Sequence, residues 1–140
     1  MSQSVLYVVA YAVVNQQQLL TVRKKDTQKF MFPGGKFKSG ENAEAAIRRE
    51  IQEELSCNID CRTFKLLGKF TTAAANEANT QLIATVFQGD LMGTPVASSE
   101  IAEIKWISIM AKDYAIELAP LVADCVLPHL RRLYGKGVGP

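Results

Sequence analysis

Residues Gly35–Cys57 read GKFKSGENAEAAIRREIQEELSC, and the second half of this stretch carries the clearest helix signal in the chain. Ala43, Ile47, Ile51 and Leu55 recur every fourth residue, the spacing that lays an apolar stripe along one helix face. Asn42 stands just ahead of them, where a short polar side chain can accept from an otherwise unpaired backbone N–H. Beside the stripe, Glu50, Glu53 and Glu54 fall within a sector of ~100°, so they are neighbours on one edge. Like charges at these spacings cost ~0.2–0.5 kcal/mol per pair in an isolated helix. An adjoining core strips hydration and sharpens the repulsion. Arg49 can neutralise one of the three carboxylates, which leaves a dense anionic cluster. Hard oxygen donors of this kind suit Mg²⁺ or Mn²⁺, ions that keep waters and accept phosphate oxygens as further ligands. Ala43 and Ala46 are small enough to leave room for a ligand. Taken alone, the cluster reads more readily as a solvated acidic face than as a metal site.

Working outward from the helix, Pro33-Gly34-Gly35 is a strong turn signal, preceded by Phe30-Met31-Phe32 and the charged loop 24–29. Val5–Val14 and Leu19–Arg23 are strand-like runs joined by the polar residues 15–18, the pattern of a hairpin. Downstream, Asn58–Thr72 and Gln81–Phe87 read as strands separated by the soft, polar stretch 73–80. Glu103–Ile109 reads as a late strand with the only tryptophan, Trp106. Residues 110–118 are ambiguous. Pro120–Tyr134 reads as a terminal helix ending at Gly135 and kinked by Pro128. Strands on either side of one central helix, closed by a second helix, predict an α/β sandwich with a mixed sheet covered on both faces.

Read from Gly35, the spacing is Gly, five residues, Glu41, seven residues, then Arg49-Glu50-Ile51-x-Glu53-Glu54-x-Ser56-Cys57. This resembles the Nudix box, the signature of the Nudix hydrolase family, and every motif position through Glu54 matches. The lead-in Phe32-Pro33-Gly34 also fits. Two positions depart: the family usually has glycine where Ser56 stands and an aliphatic residue where Cys57 stands. The glycine lies just past the helix, where a left-handed residue commonly closes the last turn. Serine in that conformation costs ~1 kcal/mol. Neither departure removes a carboxylate.

The resemblance implies a Nudix-type α/β/α sandwich over residues 1–140 as one domain, with a loop–helix–loop catalytic motif. It implies that Glu53 and Glu54 ligate Mg²⁺ or Mn²⁺, and that Glu50 ligates the ion or helps to activate water. The carbonyl of Gly34 or Gly35 is the implied backbone ligand. Glu41 and Arg49 would hold the loop against the helix. The family commonly needs one more acidic group from a later loop; Glu100 matches the mutator-type position better than Glu103. Arg23, at a strand end, would meet substrate phosphate or stay solvated. The implied reaction is attack of an activated water on a phosphorus of a nucleoside-diphosphate-like substrate.

Subfamily markers narrow the substrate by elimination. There is no proline between Pro33 and Pro95, where ADP-ribose types carry one, and no tyrosine between Tyr11 and Tyr114, where dinucleoside-polyphosphate types carry one. Leu19–Arg23 matches the opening of the coenzyme A signature, but the gap to Phe32 is too short. The mutator-type asparagine finds no match around Leu118-Ala119-Pro120. Nucleoside triphosphates remain, giving a nucleoside monophosphate and pyrophosphate. Nucleotide sugars or coenzyme A are the alternative substrates, and an inactive ligand-binding domain is the alternative of another class. Such domains typically lose a box carboxylate, and none is lost here.

The rest of the composition agrees with a small-molecule enzyme. The 140 residues are 48% apolar and 21% charged, with a formal charge of +2, too small to predict a nucleic-acid polymer or membrane partner. No apolar run approaches the ~20 residues of a membrane span, and Val5–Val14 lacks the basic lead and cleavage site of a signal peptide. Three scattered cysteines and a single distant His129 predict ordinary thiols in a reducing cytoplasm rather than a zinc site. A monomer or homodimer is expected.

Overall fold

The computed structural model describes residues 3–137. Strand β1 (Ser4–Ala12) is its spine. It pairs in parallel with β7 (Thr80–Gln88), which pairs antiparallel with β6 (Lys65–Ala73). On its other edge β1 pairs antiparallel with the short β4 (Gly34–Lys36), giving a mixed sheet of order β4-β1-β7-β6. A second sheet of order β2-β3-β9 holds β2 (Val14–Asn15), β3 (Gln18–Lys24) and β9 (Ile101–Ser108). A small ladder joins β5 (Asn58–Ile59) to β8 (Leu91–Met92).

Side-chain alternation along β1 explains the layers. Val9, Tyr11 and Val13 face helix α1 (Ala43–Leu55) and pack with its Ile47, Ile51 and Leu55. Ala10 and Ala12 face the other way, toward Val122, Val126, Leu127 and Leu130 of the terminal helical segment. Because β1 is covered on both sides it reads as a continuous apolar run rather than an alternating one. The expected sandwich of a mixed sheet between helices is present.

Several expectations need correction. The predicted hairpin is confined to its tip: only Val14 and Asn15 pair back on Leu19 and Gln18, around Gln16 and Gln17 with φ of 53° and 63°. The chain leaves the first sheet at Val13, so the long run and Leu19–Arg23 lie in different sheets. The predicted strand 58–72 breaks at residues 60–64. There Asp60 Oδ1 accepts from the Arg62 N–H (3.0 Å) and the Asp60 carbonyl accepts from the Thr63 N–H (3.1 Å). A side chain that satisfies the backbone locally competes with the ladder. The terminal helix is not one kinked helix. Leu121–Val126 is π-helical, the Leu127 N–H reaching the Val122 carbonyl, and α2 (Leu127–Gly137) follows. Pro128 has no N–H and clashes with the carbonyl one turn back, so the widened turn just before it absorbs the misfit. The helix also continues past Gly135.

Candidate active site

The box folds as loop, helix and turn, each held by identifiable groups. The Asn42 side chain accepts from the Ala45 N–H at 2.8 Å and starts α1. Ser56 closes it in the left-handed conformation (φ 53°), its N–H returning to the Gln52 carbonyl. The geometry usually given to glycine is therefore kept by serine. Its hydroxyl lies 2.6 Å from that of Ser98. The Ser98 N–H also bonds the Glu54 carbonyl at 2.9 Å, so the late loop is fastened to the end of α1. Both glycines of the turn have steric reasons. A side chain on Gly34 would run into the Val9 carbonyl of β1, and one on Gly35 would run into the Glu50 carboxylate.

Arg49 does more than neutralise one carboxylate. It grips Glu41 with two hydrogen bonds (2.6 and 2.9 Å), bonds the Lys36 carbonyl (3.0 Å), and lies 3.3 Å from Glu53 and 3.5 Å from Glu50. The guanidinium thus ties loop to helix along the acidic edge. Its hydrogen bonds, with that of the Lys38 N–H, hold the Glu41 carboxyl down to about 2.

The three helix carboxylates are graded in burial. Glu53 is half exposed, between Arg49 and Lys38 (3.8 Å). Glu50 is largely buried, and burial pushes its pKa up. Glu54 is 1% exposed. One of its oxygens accepts from the Gly34 N–H at 3.0 Å; the other, Oε2, is buried with no hydrogen-bond partner. Burial first, then the nearby charges of Glu50 and Glu100, push Glu54 up to about 8 against the pull of the Gly34 N–H and Lys24. A buried oxygen without a donor costs ~1–3 kcal/mol or more, a cost expected where the group has a task.

Glu50, Gly34, Gly35, Lys24, Lys36 and Glu100 line one end of a cavity of about 530 Å³. The structure thus brings Glu100 to the box, and its carboxylate lies 3.5 Å from the Lys24 ammonium. Glu103 and Arg23 go elsewhere. They are cross-strand partners of β9 and β3, 3.3 Å apart, and Arg23 also bonds the Thr27 carbonyl at 2.9 Å. The cation that faces the acidic cluster is Lys24. The sequence offered two adjacent cations at a strand end; a register shift between Arg23 and Lys24 decides which one points inward. No periodic signal marks such a bulge.

Among the described residues no three acidic, histidine or cysteine side chains already converge on one point. Glu50, Glu53 and Glu100 each lean on a cation, while Glu54 presents its free oxygen. The donor set is all oxygen and lacks histidine and thiolate, which fits a hard divalent ion such as Mg²⁺ or Mn²⁺. The orphaned Glu54 oxygen is the structural sign of that fit.

Comparison with known proteins agrees with the family resemblance read from the box. The family model described as the NUDIX domain matches residues 5–125. A MutT-like protein of Streptomyces ambofaciens is 29% identical over 140 residues, covering 94% of this chain and 86% of that protein. A Bacillus subtilis protein named "Putative 8-oxo-dGTP diphosphatase" is 31% identical over 97 residues, covering 69% of this chain and 62% of that protein. In fold, the crystal structure of a MutT protein from Methanosarcina mazei superposes with a TM-score of 0.74 at 21% identity, covering 95% and 97% of the two chains.

Proposed function

This chain belongs to the NUDIX family and is a Nudix hydrolase, and from that premise we propose that it is a divalent-metal-dependent pyrophosphohydrolase of nucleoside triphosphates. The observation that carries the reading is the buried, unpartnered oxygen of Glu54, whose other oxygen is held by the Gly34 N–H and which feels the nearby charges of Glu50 and Glu100. Glu53 and Glu54, with Glu50 and a carbonyl of Gly34 or Gly35, would hold Mg²⁺ or Mn²⁺. Such an ion supplies charge neutralisation on phosphoryl oxygens and lowers the pKa of a bound water.

The chain's own groups do the rest. Glu50 or Glu100 accepts the proton of the attacking water. The water oxygen bonds to one phosphorus as the bridging P–O bond breaks, leaving nucleoside monophosphate and pyrophosphate. Lys24 faces the charge that develops on the phosphates, and Arg49 with Glu41 fixes the loop so that the carboxylates keep their spacing. The cavity continues from this end over apolar walls, which suits a nucleoside rather than a bare polyphosphate. The name of the Bacillus subtilis relative supports the triphosphate class. The substrate class and three scattered thiols support a cytoplasmic site of action, and no helix among the described residues is long and apolar enough to cross a membrane.

The test is chromatographic analysis of the phosphorylated products formed from a panel of nucleoside triphosphates, nucleotide sugars and coenzyme A, with Mg²⁺ and after metal removal. Triphosphate turnover that stops with EDTA is expected. Full activity without metal, or turnover confined to nucleotide sugars or coenzyme A, overturns the reading.

A further inference from the structure

The active-site cavity has two unlike ends. Its floor is one face of β1: Leu6, Val8 and Ala10 line it at every second residue. Ala10 sits opposite Gly34, at the carboxylate end, and Leu6 sits opposite Leu82. The four residue steps from Leu6 to Ala10 span about 13 Å at ~3.3 Å per residue. Four of the five charged residues of the lining, Lys24, Lys36, Glu50 and Glu100, gather toward the first end, and the fifth, Glu77, stands on the loop between β6 and β7. The apolar walls are Met31, Phe32, Leu82 and Leu121, and the rim beyond Leu6 is the loop of residues 74–79 between β6 and β7. If the phosphates lie at the carboxylates, the length of the floor carries the base to that loop.

A base in an apolar slot is held by area but identified by hydrogen bonds, and the cavity has few groups to make them. The rim contributed by the start of the terminal helix is Ala119, Pro120 and Leu121, none with a polar side chain. Asn76 is the sole carboxamide of the lining, with Glu77 beside it. A carboxamide presents a donor and an acceptor in one plane and pairs in bidentate fashion with a base edge.

The loop is also fastened where this role needs it. The Ala74 N–H bonds the Thr80 carbonyl at 2.9 Å, closing its base. The Lys29 ammonium donates to the Ala75 carbonyl at 3.2 Å. Lys29 ends the segment that supplies Lys24 and Thr27 to the opposite wall, so the two sides of the cavity mouth are joined one residue before Asn76.

Resting on the triphosphate reading above, we propose that Asn76 is the specificity-determining residue of this cavity: its carboxamide reads the hydrogen-bonding edge of the nucleobase, and Lys29 is the positioning residue that holds the loop for it. Specificity in this chain thus comes from the sheet side of the cavity, in place of a polar residue at the start of the terminal helix.

The test is equilibrium binding of the four common nucleoside monophosphates and of ribose 5-phosphate to the metal-free full chain, by calorimetry. The native protein is expected to spread its Kd values over about tenfold or more across the bases, the scale of one bidentate amide–base pair. Asn76→Leu should compress the spread to within about threefold while ribose 5-phosphate binding stays within about twofold. Lys29→Met should compress it too, with recovery in Lys29→Arg. Asn76 is exposed, so the fold survives its replacement; the melting temperature checks this. A spread that persists in Asn76→Leu, or no spread in the native protein, overturns the proposal. Failure to turn over any triphosphate strikes the reaction instead, because this readout needs neither metal nor catalysis.

Discussion

Helix α1 and the terminal helical segment cover opposite faces of β1, yet they treat charge differently. The terminal segment buries Leu121, Val122, Val126, Leu127 and Leu130, and its Arg131 is met by the Ile109 carbonyl (2.8 Å), the Ala111 carbonyl (3.0 Å) and the Tyr114 hydroxyl (3.1 Å). Helix α1 buries Ile47, Ile51 and Leu55 in the same manner but adds Glu54, with one oxygen left without a partner. Arg131 shows that this chain can satisfy a charge against the core where only packing is at stake. On the function proposed above, the unsatisfied group on α1 marks the site rather than a packing fault, and the comparison sets a stabilising helix against a working one.

The largest effect should come from breaking α1's side of the comparison. Glu53→Gln and Glu54→Gln each keep the shape and remove a charged donor, and turnover should fall at least ~10²-fold while the far-ultraviolet spectrum stays native. Near-native turnover in both would place the ion elsewhere.

A second comparison lies within the site, between two ion pairs at the same strand ends. Lys24–Glu100 faces the cavity; Arg23–Glu103 lies outside it, in the register of the second sheet. Glu100→Gln should lower kcat by about tenfold, and Glu103→Gln by less than about twofold. Steady-state kinetics on the best substrate decide it, and a larger loss for Glu103 reverses the assignment. Neither change should move the melting temperature much, since exposed ion pairs contribute ~0–1 kcal/mol.

The smallest effect sharpens the helix comparison at its exit. Ser56→Gly removes the left-handed strain of a residue at φ 53° but also the hydroxyl contact with Ser98. Net stabilisation below ~1 kcal/mol is expected in denaturant unfolding, with turnover unchanged.

What was legible in the sequence was what depends on near neighbours. The stripe at Ala43, Ile47, Ile51 and Leu55, the Asn42 cap and the spacing of the acidic edge are local, and all lie on one helix as expected. The partner of β1 is β7, more than seventy residues on and parallel, while the hairpin pattern pointed to the nearest strand. Periodicity is blind to such pairing. The break at Asp60 carries no glycine or proline, only a side-chain hydrogen bond. At the site, the box carboxylates and Glu100 were readable. Lys24 was not, because a bulge chose between it and Arg23, and Asn76 was not, because its relevance depends on where β6 ends over the cavity.

The central claim, that the free oxygen of Glu54 is kept for a divalent ion, is tested most directly by melting temperature against pH for the native chain and Glu54→Gln, with and without Mg²⁺. A carboxyl raised from 4.5 to about 8 binds its proton more tightly in the folded state, so its contribution is full below the unfolded value and is lost as pH rises through about 8. The metal-free native protein should therefore lose stability relative to Glu54→Gln between about pH 5 and pH 9. Mg²⁺ should restore it at the alkaline end in the native chain and much less in the variant, because an ion that binds only the folded state stabilises it. Matching curves for the two proteins, with equal Mg²⁺ responses, would contradict the account.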